Sequence, residues 1–363
     1  MNMSNYILIH KLDYIEYKYN KSIKGEKKMK KKLFLSICLA LTLLLSACGS
    51  DNSSEAEDNE GKDYELKLGH GTAEDSLYNI GAEKFKEEVE KESDGKITVE
   101  IYTDGQLGDD NELIEGMGIG SIDMGMIGVE PMTTLSPKLM ATNLPFLFDD
   151  RETAYRVLDG ELGEEMVENL PDEQNIRALG YFENGFRDIT NSKGAIKKPQ
   201  DLEGLDIRTP ESSISLSIFE SLGANPTPMD FGELYSALDQ GVVDGQENPL
   251  ALTDSSNFSE VQDYVSLTEH IYSPMILTIS EEVWDDMPSD LQETVEDAAD
   301  KAKEYEREES KNQEEEIIEN LEEEIEVNEV DKEPFIEETE KVYDEFKSDI
   351  GEDFLEKIEK ETD

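Results

Sequence analysis

"VSLTEHIYSPMILTIS" (265–280) reads as one extended segment of sixteen residues, with Pro274 midway. An ordinary strand runs for ~3–10 residues, so a β-segment this long is best placed crossing between two domains. The residues on either side of it say what those domains are.

Towards the N-terminus, "YELKLG" (64–69) and "KITVEIY" (96–102) alternate apolar and polar side chains at strand period. Between them Leu77, Ile80, Phe85 and Val89 recur at near-helical spacing. A short helix near 109–117 and a strand over 121–128 complete a β-α-β-α-β run, the signature of a mostly parallel sheet covered by helices. The rhythm restarts with strands over 175–182 and 205–209, a helix over 212–223 and a short extended "ANPTPM". A helix over 230–241, with Asp230 at its N-cap, and a strand "VVDGQ" (242–246) follow. "GFRDITNS" (185–192) reads as turn-rich. After 280 the chain becomes a long acidic helix, 289–324, and then further helix to the end. The fold class is therefore α/β: two lobes, a ligand cleft between them, crossing β-strands and a long C-terminal helix. The expected domains are 64–184 with 274–313, and 185–273 with 314–363.

The N-terminus carries a different message. "KKMKKK" (27–32), the apolar run "LFLSICLALTLLL" (33–45) and "LSAC" follow the order of a secretory signal. The run is shorter than the ~20 residues a spanning helix needs. Leu45-Ser46-Ala47-Cys48-Gly49 resembles a bacterial lipobox, which implies cleavage before Cys48 and lipid attachment to its thiol. Residues 1–47 are thus an expected signal segment, 1–28 an upstream extension, and 48–63 a flexible tether. Such a protein sits outside the cytoplasm, anchored to the cell membrane by its lipid.

Charge and cysteine usage exclude several classes. The chain holds 88 Asp and Glu against 33 Lys and Arg, a net charge of −55. Removing residues 1–47 takes away nine lysines and three acids and leaves −61. Nucleic acid is excluded as a partner, because phosphate binding needs a basic footprint. The acidity fits a saline or alkaline exterior. Cys38 leaves with the signal and Cys48 takes the lipid, so no disulfide is expected. Beyond residue 47 only His70 and His270 remain, and two distant histidines without clustered ligands give no metal site; no nucleophile elbow marks a hydrolase, and no cofactor is expected.

Five segments in order carry a resemblance: "GQLGDDNELIEGMGIGSIDMGM" (105–126), "NGFRDITNS" (184–192), "DLEGLDIRTPES" (201–212), "LGANPTPMDFGELYSALDQGVVDGQENPL" (222–250) and "EHIYSPMILTIS" (269–280). Together they resemble the substrate-binding proteins of TRAP transporters, the DctP family, over essentially all of 64–350. The resemblance implies a monomeric receptor, not an enzyme, that captures an organic acid and hands it to the small and large subunits of a Na⁺-coupled permease. A sensory receptor of the same fold feeding a membrane kinase is the alternative. Arg208 matches the family arginine that pairs with the ligand carboxylate, and a planar guanidinium suits that task because it donates two parallel bonds. Arg187 matches a second arginine that reaches the carboxylate in the sialic-acid-binding branch; a brace against Asp188 is the other reading. Asn248 matches the asparagine on the carboxylate's other edge, although Asn before Pro249 is also turn chemistry. Phe231 matches an aromatic that packs on the ligand, and a core position at the helix entry is the other reading. Gly71 and Gly128 stand where the sialic-acid branch has polar contacts, so sialic acid is not the expected ligand. His70 and Glu74 resemble residues of branches that take C4-dicarboxylates or sugar acids, and the sequence does not choose between these; a satisfied core histidine at a strand end is the other reading of His70.

Overall fold

A computed structural model of the protein describes residues 62–362. The expected signal segment, Cys48 and all but the last two residues of the tether lie outside them. Among the described residues no helix is long and apolar enough to cross a membrane.

Among the described residues nine strands build one mixed sheet. They are β1 (Tyr64–Gly69), β2 (Ile97–Tyr102), β3 (Met124–Gly128), β4 (Ile176–Asn191), β5 (Asp206–Thr209), β6 (Asn225–Pro228), β7 (Gly245–Pro249), β8 (Tyr264–Ser280) and β9 (Glu326–Glu329). Their spatial order is β2-β1-β3-β8-β4-β7-β5-β6, with β9 beside β8. Strands β1, β2 and β3 form one parallel block, and β5, β6 and β7 another. The blocks are joined by antiparallel pairings through β4 and β8. One end of β8 lies against β3 and one end of β4 against β7, so this long pair is the crossing element. That connection gives the fold its two lobes.

Pro274 cannot donate to a ladder, and it sits opposite Glu183 where the β4–β8 register slips between Glu183 and Gly185. Gly185 takes φ +119° at that bulge, a conformation closed to most side chains. A proline and a glycine thus share one interruption, and the strands continue past it.

Three sequence expectations need correction. Strand β4 does not stop at 182 but runs to Asn191, so "GFRDITN" is strand rather than turn. Its side chains from Arg187 to Asn191 are buried on both faces, which removes the alternation that marks a strand. Strand β7 begins at Gly245, three residues later than expected, and contains Asn248 and Pro249. The C-terminal segment is not all helix, because β9 pairs in parallel with β8 before the helices Glu333–Ile350 and Glu352–Thr362. The helix Ser289–Glu324 has the expected bounds. Leu291, Val295, Ala298, Ala299 and Ala302 follow helical spacing on its buried face and pack against the helix Leu77–Glu92 and β4. That face anchors the long helix to the first lobe, whose core includes Phe85, Met126 and Phe182.

Candidate ligand-binding site

The carboxyl ends of strands from both blocks converge on one cleft. Gly71 follows β1, Gly128 ends β3, Arg208 lies near the end of β5 and Asn248 near the end of β7. Open α/β sheets bind ligands at this edge. Two contiguous cavities fill the cleft, an outer one of about 240 Å³ and an inner one of about 50 Å³. Both are lined by Gly71, Asp110, Pro131, Arg208, Pro210 and Phe231. Arg187, Asn248, Glu130 and Tyr78 enclose the inner one.

Arg208 is 3% exposed, yet among the described residues no carboxylate lies within salt-bridge distance of it. Its Nε and Nη2 both donate to the Met229 carbonyl, at 2.9 and 2.5 Å. Burial, together with the neighbouring charge of Arg187, pushes its pKa down to about 10. A guanidinium held this way is a desolvated cation lining a cavity. An anion delivered there would relieve the strain that lowers its pKa.

Arg187 is arranged differently. Its Nε bonds Glu247, its Nη2 donates to Glu247 Oε1 at 3.0 Å and to the Glu247 carbonyl at 2.8 Å, and its Nη1 reaches Glu130 Oε1 at 3.2 Å. Burial alone would lower its pKa, but Glu247 and Glu130 outweigh burial and hold it above its ordinary value. The reading of Arg187 as a brace against Asp188 is corrected: its bonds go to Glu247, Glu130 and Asn248. Asp188 instead accepts the Glu269 backbone N–H at 2.9 Å. Asn248 accepts from Arg187 Nη2 at 2.9 Å and donates to Gln246 Oε1 at 2.5 Å, so both ends of its amide are engaged.

Phe231 opens the helix Phe231–Asp239 and lines both cavities; Asp230 stands at the N-cap position but makes no side-chain capping bond. His70 and Glu74 line neither cavity. His70 is buried behind the wall, its Nδ1 3.0 Å from Thr72 Oγ1, and burial lowers its pKa. Glu74 is exposed, and its backbone carbonyl accepts from Asn79 Nδ2. The contact role expected of these two thus has no geometric support.

Four residues that the sequence reading did not single out shape the site. Glu130 Oε1 takes Ser273 Oγ at 2.5 Å as well as Arg187. Glu247 neutralises Arg187, and His270 Nε2 lies 3.4 Å from its Oε2. Asp110 is partly buried and lines both cavities; burial and nearby Glu130 raise its pKa to about 7. Around Gly128, a Cβ would lie 3.0 Å from Glu130 Oε2, 3.2 Å from Tyr78 Oη and 3.9 Å from Asp110 Oδ2. Glycine there leaves a notch bounded by three oxygens. Glu247 had a signal in its place within "QENP", whereas Tyr78 had none, because it reads as a helix core residue.

Residues 68–349 match the model of bacterial extracellular solute-binding protein family 7, DctP. The 2,3-diketo-L-gulonate-binding periplasmic protein YiaO of Escherichia coli is 36% identical over 67% of this chain and 74% of its own length. Among solved structures, the sugar acid binding protein DctPAm from Advenella mimigardefordensis, in complex with galactonate, superposes with a TM-score of 0.81 at 35% identity. The match covers 83% of this chain and 98% of that one. A TRAP periplasmic solute binding protein from Sulfurospirillum deleyianum with bound succinate gives a TM-score of 0.78 at 31% identity, over 82% and 98% of the two chains.

Proposed function

The chain belongs to bacterial extracellular solute-binding protein family 7, and we propose that it is the lipid-anchored receptor that hands a carboxylate solute, clamped by Arg208, to a Na⁺-coupled TRAP permease. The protein is a solute-binding protein of the TRAP type for carboxylate and sugar-acid substrates, a family of receptors rather than enzymes. One observation carries the assignment of the site. Arg208 is a buried cation whose Nε and Nη2 share the Met229 carbonyl, and it lines a cavity built from both lobes.

Arg187 and Asn248 line the same inner cavity beside the ligand's carboxylate; Glu247 and Glu130 hold Arg187 in place and balance its charge, which leaves the ion pair with the carboxylate to Arg208. Phe231 packs on the carbon chain. The lobes 64–184 with 274–313 and 185–273 with 314–363 close on the solute, bending at the β4–β8 interruption near Gly185. Contacts drawn from both lobes favour the closed form, and only such a difference in affinity shifts an open–closed equilibrium. Cys48 carries the lipid that keeps the receptor beside its permease.

A thermal-shift comparison tests the carboxylate requirement directly. D-Galactonate should raise the melting temperature of the soluble protein lacking residues 1–48, and galactitol, which lacks only the acid function, should not. Equal shifts from the two would refute a carboxylate clamp.

A further inference from the structure

The cleft contains two arginines, but their charges are not equally available. Arg187 is bonded to the carboxylates of Glu247 and Glu130, two anions against one cation, all three buried. Arg208 therefore supplies the only cation without a carboxylate partner among the described residues lining the two cavities. Beyond it the walls are acidic. Asp110 belongs to both cavities, and Asp104, Asp109, Glu112, Glu211 and Asp230 line the outer one. The notch at Gly128 is bounded by oxygens of Glu130, Tyr78 and Asp110. Such a surface accepts hydrogen bonds from hydroxyl groups and repels a second carboxylate.

Resting on the carboxylate-receptor reading, we infer that this cleft takes one carboxylate only, and that Asp110 selects a polyhydroxy monocarboxylate against the dicarboxylate of the same length. One end of the ligand pairs with Arg208. The other end, a chain of hydroxyls, donates to the oxygens around Gly128. A ligand with carboxylates at both ends would set its second charge against Asp110 and Glu130 with no cation left to meet it. The Glu130 charge is already shared with Arg187 and Ser273. Asp110 makes no ion pair among the described residues, and the nearby Arg208 charge is the one the first carboxylate takes up, so Asp110 exerts the larger repulsion.

The test uses two acids that differ at a single carbon. D-Galactonate and galactarate share their hydroxyl configuration, and galactarate has a carboxylate where galactonate has a terminal CH₂OH. D-Erythronate and meso-tartrate form the matching four-carbon pair. Titration calorimetry at pH 8.0, where Asp110 is ionised, should show the monocarboxylate of at least one pair binding tenfold or more tighter than its dicarboxylate partner, about 1.4 kcal/mol. In Asp110→Asn, which keeps the shape and removes the charge, that ratio should contract at least fivefold because the dicarboxylate gains. Dicarboxylates binding wild type as tightly as their partners would overturn the inference and leave the carboxylate clamp standing. So would an unchanged ratio in an Asp110→Asn protein with wild-type melting temperature. Binding of none of the four acids would overturn both.

Discussion

Arg208 and Arg187 should separate cleanly when each is replaced by methionine and the ligand-free proteins are melted. Removing Arg187 leaves Glu247 and Glu130 buried without their cation. Breaking a buried pair in this way costs about 3–5 kcal/mol. For a body of about 300 residues that is a fall of roughly 5–8 °C. Removing Arg208 takes away a charge the fold holds at a cost. Its pKa falls from 12.5 to about 10, a penalty on the order of 3 kcal/mol. Because the folded pKa lies below the unfolded one, that penalty is fully present below pH 10 and relieved as pH rises towards 12.5. The bonds lost to the Met229 carbonyl offset about 1.5–3 kcal/mol of the relief. Arg208→Met should therefore melt within about 4 °C of wild type at pH 7.5, or above it, while losing D-galactonate binding. Differential scanning calorimetry of both variants decides the matter. If Arg208→Met falls as far as Arg187→Met, Arg208 is a structural residue and the distinction drawn between them is wrong.

Asp188 is buried, and burial raises its pKa to about 8. The folded state thus binds the extra proton, and stability is lost as pH climbs from about 4 to 8. Asp188→Asn keeps an acceptor for the Glu269 N–H and should raise the melting temperature at pH 8.5 while changing it little at pH 4.5; a gain of the same size at both would exclude ionisation as the cause. Gly185→Ala forces a Cβ into φ +119° at the strand interruption and should destabilise by about 1–3 kcal/mol in urea melts; a neutral result would mean the bulge relaxes freely. The acidic body repels an anion at long range while Arg208 attracts it only inside the cleft. Stopped-flow association of D-galactonate should therefore quicken or stay flat between 0.1 and 1 M NaCl, and a steep fall would show the arginines dominating the far field.

The parts of the fold that announce themselves in the sequence are those with one buried face. Strands β1 and β2 alternate cleanly, and the helix Ser289–Glu324 repeats Leu291, Val295, Ala298 and Ala302. Strand β8 was legible by length alone. The second half of β4 was not, because Arg187, Asp188, Thr190 and Asn191 are all buried polar residues, and no hydropathy period survives there. Strand β9 is four largely exposed residues, "EVNE", whose pairing depends on β8 rather than on local preference. The site divides in the same way. Arg208, Arg187, Asn248 and Phe231 were found by resemblance, and all four line the inner cavity. His70 and Glu74 were drawn in by the same route and lie outside it. Glu130 and Asp110 stayed hidden because an acid in a chain with 88 of them carries no signal until its burial is known.

Arg208 should meet the carboxylate of the solute with a two-pronged bond. Titration calorimetry of D-galactonate into wild type and Arg208→Lys measures this most directly, since lysine keeps the charge and loses the fork. The dissociation constant should rise by about 30-fold or more, on the order of 2 kcal/mol, with the melting temperature unchanged. Equal affinity of Arg208→Lys and wild type would contradict the two-pronged bond.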